Sequence, residues 1–295
     1  MKTRNLFSIT FIISILLLNT GCVSWEPGWK TKTEPAGTVD AKELFASAAA
    51  LAKTADSTEK IMKAAAEYEK ILMADPSNYD ALVKASEFLY LNSYLYETDK
   101  EKKAEYYMKT IQYCERAMYT SPAFKKLADE GKQVWESLSA LSPREMSAMF
   151  FWYVAAGQYW TECLNPVSKL VNIRLMGRAK AVLKRMTAID PDARHGEIHM
   201  LWGATYAILP VIMGGDMKTA GDEFAKALKL DPDFINNYYL RAKYIHIKNG
   251  NRGAFEKDLQ HVLSHDITKG NFPYHWGAAY QFKARELLAK KGELF

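Results

Sequence analysis

One spacing recurs through this chain and leaves few folds open to it. Ala220, Phe224 and Ala227 stand at i, i+4 and i+7, and Asp231-Pro232 closes the run. On a helix these positions share one face. The two small side chains let a neighbouring helix come close, and the phenylalanine fills the gap between them. Pro232 has no N–H to donate and ends the helix. The same spacing returns at Ala64, Tyr68, Ile71 and Pro76, at Thr110, Cys114, Ala117 and Pro122, and at Ala179, Leu183, Met186 and Pro191. Ala254 begins a fainter copy about 34 residues after Ala220, without its proline.

A unit of this kind is a helical hairpin that buries its apolar face only by stacking on others. The spacing is the second half of the tetratricopeptide pattern. Gly203 and Tyr206, three apart, match part of the first half. The link between these halves, Ile208 to Asp216 (ILPVIMGGD), is longer than a tetratricopeptide turn. The other copies are also separated by irregular intervals. The expected fold is therefore all-α, an irregular tetratricopeptide-like α-solenoid of about a dozen helices. No sustained period-two alternation argues for strands. With 48% hydrophobic residues among 295, the helical part, residues 40–295, can hold one continuous core. The net charge of +5 is spread over interleaved acids and bases. No basic patch forms, so a nucleic-acid partner is not expected.

The start of the chain carries an address. Lys2 and Arg4 precede an apolar run, Leu6 to Leu18, that is short for a membrane span. Asn19-Thr20-Gly21-Cys22 follows and resembles a bacterial lipobox, with Asn19 where leucine is usual. On that reading residues 1–21 are a cleaved lipoprotein signal peptide. Cys22 then takes a diacylglyceryl group and a further acyl chain such as palmitate, and residues 22–39 form a lipid-anchored tether. The mature protein is then extracytoplasmic (periplasmic) and held at a bacterial membrane, whose side of the envelope the sequence leaves open. Trp25 and Trp29 suit either the lipid headgroups or the protein body.

Helix starts are marked at several points. Asp56-x-x-Glu59 and Thr98-x-x-Glu101 have capping-box spacing. Ser121-Pro122, Ser142-Pro143 and Asn165-Pro166 place a cap residue before a proline. Ser77 opens a helix to about Tyr96. Later helices are expected near Ala193–Leu209, Lys218–Leu230, Phe234–Lys248, Arg252–His265 and Pro273–Lys291.

Candidates for chemistry are few. His195 with His199, and His261 with His265, have i, i+4 spacing. HGEIH lacks the glutamate beside the first histidine that a zinc protease uses, so packing roles are expected and no metal. Cys114 and Cys163 fall within apolar helices, and Cys114 occupies the large-residue slot of its repeat, which favours a buried free thiol over a disulfide. No serine elbow, phosphate loop or dinucleotide fingerprint occurs, so no catalytic residue, cofactor or enzymatic role is assigned. Met146 to Trp160 is apolar almost all round. It is either a central core helix or the wall of an apolar ligand path, in which case Phe150, Trp152, Tyr153 and Trp160 are the residues to watch. Gly214, Gly215 and Asp216 are either a helix-capping turn or a partner-contact loop.

Leu209, Pro210, Gly214, Gly215 and Asp216, followed by the Ala220 repeat and joined to the leader with Cys22, resemble the T-component family associated with TRAP-type transporters. The resemblance covers nearly all of the mature chain. It implies a lipid-anchored protein that partners the transporter's soluble solute-binding protein, associates as a homotrimer and holds or passes a small hydrophobic ligand. A scaffolding or binding component of solute uptake is thus the first expectation. The alternative is an envelope-assembly lipoprotein that scaffolds an outer-membrane or cell-wall machine.

Overall fold

The computed structural model describes residues 23, 25–31, 34–269 and 272–295. The leader and Cys22 lie outside them. The described residues contain fourteen α-helices and no strand. They are α1 (Ala41–Ala52), α2 (Thr58–Ala74), α3 (Tyr79–Leu91), α4 (Lys100–Tyr119) and α5 (Pro122–Asp129). Then follow α6 (Met146–Gln158), α7 (Pro166–Val171), α8 (Ile173–Ile189), α9 (Glu197–Ile208) and α10 (Met217–Leu230). The chain ends in α11 (Ile235–Arg241), α12 (Arg252–Ser264), α13 (Tyr274–Ala289) and the short α14 (Lys291–Leu294).

The repeated positions do the packing work. Ala64, Tyr68 and Ile71, Thr110, Cys114 and Ala117, Ala179, Leu183 and Met186, and Ala220, Phe224 and Ala227 are all buried. Gly203 shows why one of them must be glycine. A Cβ there would lie 2.7 Å from the Phe224 ring. In the fainter copy Asp258 occupies the large-residue slot. It accepts two bonds from Arg241 at 2.7 Å and one from His246 at 3.0 Å, which fastens α12 to the end of α11. Burial pushes this carboxyl up, but the His246 and Arg241 contacts outweigh it and hold it below its ordinary 3.8. A lowered folded-state value means that the contribution is complete above the ordinary value and is lost as pH falls through the folded one. Asp258→Ala is therefore expected to cost about 3–5 kcal/mol at neutral pH. The gap to the parent protein should narrow below about pH 4 in urea titrations. Equal midpoints at pH 7 would remove this pair as a brace.

Helix starts follow local chemistry, with shifts of one residue. Ser57, not Asp56, precedes α2, because Asp56 is drawn into an ion pair with Lys60 at 2.9 Å. Asp99, not Thr98, caps α4 by accepting from the Glu101 and Lys102 N–H groups. Asn78 rather than Ser77 caps α3. Pro122 opens α5, and Asn165 accepts from the Ser168 N–H before α7. Ser142 and Glu145 form a capping box on a 3-10 turn that runs into α6.

The larger departure is at α9, expected from Ala193 and found from Glu197. Arg194, His195 and Gly196 all have positive φ, of 58, 59 and 78°. Two non-glycine residues in succession hold this left-handed form at a cost of roughly 1–3 kcal/mol each. Side-chain contacts offset it. Arg194 reaches Glu197 at 2.9 Å and Ser147 at 3.0 Å, and lies 4.1 Å over the Phe150 ring. His195 pairs with Asp231 at 2.7 Å and stacks on Phe234.

Three helices end in π turns: Asn92–Tyr96 after α3, Tyr159–Cys163 after α6 and Ala242–His246 after α11. These occupy stretches expected as plain helix. Helices pack in chain order, α1 on α2, α2 on α3, α3 on α4, α4 on α6 and α6 on α8, then α9 through α13 in succession. The sequence does not disclose the closure. α13 returns to the first half, where His275 and Trp276 donate to Glu87 at 3.1 and 2.8 Å and His275 stacks on Phe88. The helices thus enclose a central space rather than end on an open edge.

The segment before α1 is docked at the described residues. Trp29 stacks on Tyr119 and meets Phe124 edge-on. Trp25 donates to Glu115 at 3.0 Å, and the Gly28 N–H donates to the same carboxylate at 2.7 Å. Gly28 has no room for a side chain, since a Cβ would lie 2.1 Å from the Gln112 carbonyl oxygen. Both tryptophans therefore lie on the body.

Candidate functional site

The centre of the closed array is a narrow chamber. α3 and its π turn supply Tyr90 and Tyr94, and α6 supplies Phe150, Tyr153, Val154 and Gly157. α9 adds Met200, Leu201 and Ala204. Leu240, Tyr244, Trp276 and Tyr280 complete the wall from the C-terminal helices. The cavity volume is about 80 Å³. So small a space suits a slender chain better than a rigid ring system.

The chamber wall carries little charge. Tyr153 bonds to Thr205, and burial pushes its hydroxyl up to about 12. Burial likewise raises Tyr90, Tyr94 and Tyr280. These phenols stay neutral and can donate hydrogen bonds. Glu197 is the carboxyl at the wall. Burial raises it, against the pull of Arg194.

Two polar hollows flank the chamber. The wider one shares Glu197 and Trp276 with it and contains Lys84, Glu87, Arg144, Arg194 and His195. Its charges are mostly paired, Lys84 with Glu87 at 2.9 Å, Arg194 with Glu197, and His195 with Asp231. Burial pushes Glu87 up, yet the His275 and Lys84 contacts hold it well below the usual range. The smaller hollow shares Tyr94 with the chamber and is lined by Lys103, Glu162, Lys243, Lys283, Glu286 and Lys290.

The four aromatic residues singled out on Met146–Trp160 separate. Phe150 and Tyr153 line the chamber. Trp152 points to the opposite side, fully buried, and donates to Glu115 at 3.0 Å. Trp160 turns outward and donates to the Lys169 carbonyl at 3.1 Å. Gly157 and Thr161, which sequence reasoning passed over, face inward with Phe150, Tyr153 and Val154. The spacing 150, 153/154, 157, 161 was the available signal, but it was masked in a helix apolar on every side.

The Gly214–Asp216 loop is built as a cap. Gly214 has φ +88°, and a Cβ on Gly215 would lie 1.9 Å from the Leu209 carbonyl oxygen. Asp216 accepts from the Lys218 and Thr219 N–H groups at 2.9 and 3.3 Å. The cap holds out two residues that the sequence reading did not name. Val211 is 85% exposed and Ile212 95% exposed. Val167, Leu170 and Val171 of α7 are exposed as well.

The histidines and thiols take packing roles. His199 sits between Asp192 and Glu223. His195 precedes α9 and so does not share a helix face with His199. His261 lies against Tyr238. No cluster of three metal-ligating side chains occurs among the described residues. Cys114 and Cys163 are unpaired, and burial raises their thiols to about 12 and about 11. Thiols held protonated in this way are poor nucleophiles. Cys22, the expected lipid carrier, lies outside the described residues.

The fold and site define an all-helical protein closed around a narrow aromatic chamber. Residues 68–295 match the family of TRAP transporter T-components (TAtT), and the chain belongs to that family. Membership points to a role in a TRAP transport system rather than in catalysis. No curated protein matches the chain.

Proposed function

We propose that this protein is a lipid-anchored, extracytoplasmic component of a TRAP-type solute uptake system. Cys22 carries the anchor, and the helices wind in a tetratricopeptide-like solenoid. The body docks the soluble solute-binding protein, and the chamber holds or passes a small hydrophobic ligand. A homotrimer is the assembly that the family resemblance implies. The chamber is the observation that carries the reading, because an unfilled aromatic cavity has no structural purpose that a packed core would not serve better.

The docking surface follows from the loop. Val211 and Ile212 are large apolar side chains held in water by a turn whose glycines and Asp216 cap fix its shape. Apolar side chains fixed in the open are suited to a partner's pocket. The test uses the acyl-free protein from Val23 onward, mixed with candidate TRAP solute-binding proteins and weighed natively. A defined complex is expected, weakened roughly 30-fold or more by Ile212→Glu, with an unchanged melting temperature. A complex indifferent to Ile212→Glu moves docking off this loop. No complex with any solute-binding protein, together with capture of outer-membrane assembly partners, would replace the reading with the envelope scaffold.

A further inference from the structure

The smaller hollow has a feature that the proposed function does not require. It is built from all three π turns at once. Tyr94 comes from the first, Glu162 from the second and Lys243 from the third. A π turn sets one more residue into a helical turn than an α-helix does, and such turns recur at ligand sites. Here three of them, far apart in sequence, converge on one hollow that shares Tyr94 with the chamber.

The charges there do not balance. Four lysines face two glutamates. Glu162 is taken by Lys103 at 2.7 Å and by the Tyr107 hydroxyl at 3.1 Å, and Glu286 by Lys283 at 2.7 Å. Lys243 has no carboxylate at ion-pair distance among the described residues, although Glu162 acts on it from across the hollow. Its ammonium lies 3.4 Å from the Tyr94 hydroxyl and 5.2 Å from the ring centres of Tyr94 and Tyr244. Both rings line the chamber. The near partners of Lys243 are phenols, Tyr94 and Tyr244, and Glu162 acts on it only from farther off in the same hollow, so the ammonium keeps capacity for an anion. In the wide hollow, by contrast, the cations already have acidic partners.

We propose that the π-turn hollow is an anion site. It holds the negatively charged head of a single-chain amphiphile at Lys243, with the Tyr94 hydroxyl beside it, while the apolar chain lies in the chamber. The inference rests on the chamber being a ligand site and adds the polarity and direction of the ligand. The chamber admits one slender chain, the lysine excess draws the anion to this end, and the neutral phenols stabilise its oxygens without repelling them.

The probe is dodecanoate, with dodecanol as its uncharged counterpart, and binding is followed by titration calorimetry on the Val23–Phe295 protein. Dodecanoate is expected to bind roughly tenfold or more tightly than dodecanol. Lys243→Met should bring the acid to the alcohol's affinity and leave the alcohol unchanged, and Lys243→Arg should keep the preference. Melting curves of both variants control for folding. Equal binding of acid and alcohol by the parent protein, or a preference that survives Lys243→Met, overturns the anion site while leaving the chamber in place. Binding of neither probe overturns the chamber reading and the anion site together.

Discussion

Glu115→Ala is expected to lower the free energy of unfolding by about 3–5 kcal/mol and to release the segment around Trp25–Lys30 from the body. One carboxylate on α4 accepts three bonds, from the indole N–H groups of Trp25 and Trp152 at 3.0 Å and from the Gly28 backbone at 2.7 Å. Burial pushes the carboxyl up, against those three donors. Alanine removes the acceptor and leaves three donors facing a hole. Each costs about 1–3 kcal/mol if it stays buried and dry. Relief from burying the carboxylate returns part of that sum, hence the figure given. The measurement is a guanidinium titration beside a trypsin time course at Lys30. A lower midpoint with faster cleavage is expected. An unchanged midpoint would show that Glu115 does not hold these elements together.

Gly157→Leu is expected to abolish ligand binding while leaving the protein as stable or more so. Gly157 lies inside α6 and lines the chamber, and a Cβ there would meet nothing within 4 Å. A side chain can therefore leave the backbone there without a clash, and a leucine would extend into the chamber. Glycine within a helix costs about 1 kcal/mol relative to better helix formers, so the backbone gains from the change. Little room for a chain remains, and affinity for dodecanoate should fall by roughly 100-fold. Most blocking mutations damage the core they enter, whereas this one separates occupancy from folding. Binding at parental strength in a correctly folded Gly157→Leu protein would place the ligand outside the chamber.

Much of the helical framework was legible because the Ala–large–Ala spacing is a direct statement about which face a helix buries. All four strong copies lie in the core. The proline-marked starts were legible too, since Pro122 and the Asn165-Pro166 step can open a helix but not continue one. Starts judged by capping-box spacing fell one residue off, at Ser57 and Asp99, because neighbouring acids compete for the same amides and lysines.

The chamber was half legible. Phe150 and Tyr153 were named, but Trp152 and Trp160 were grouped with them on composition alone. A helix covered on every side gives no amphipathic signal to say which side is empty. The closure was not legible at all. Glu87 meets His275 and Trp276 across most of the chain, and no local pattern reports such a pairing. The left-handed run at Arg194 and His195 was hidden for a similar reason, since only distant partners, Ser147 and Asp231, support it.

The three π turns bear on how this chain tolerates change in its length. An extra residue wound into a helix rotates everything after it by about 100°. Deleting one residue from any of these turns would keep every neighbour's identity and still swing Tyr94, Glu162 or Lys243 away from the hollow they line. Here position along the chain counts for as much as side-chain chemistry. Relatives that preserve the hollow should therefore keep the residue count across these three stretches even where the amino acids differ.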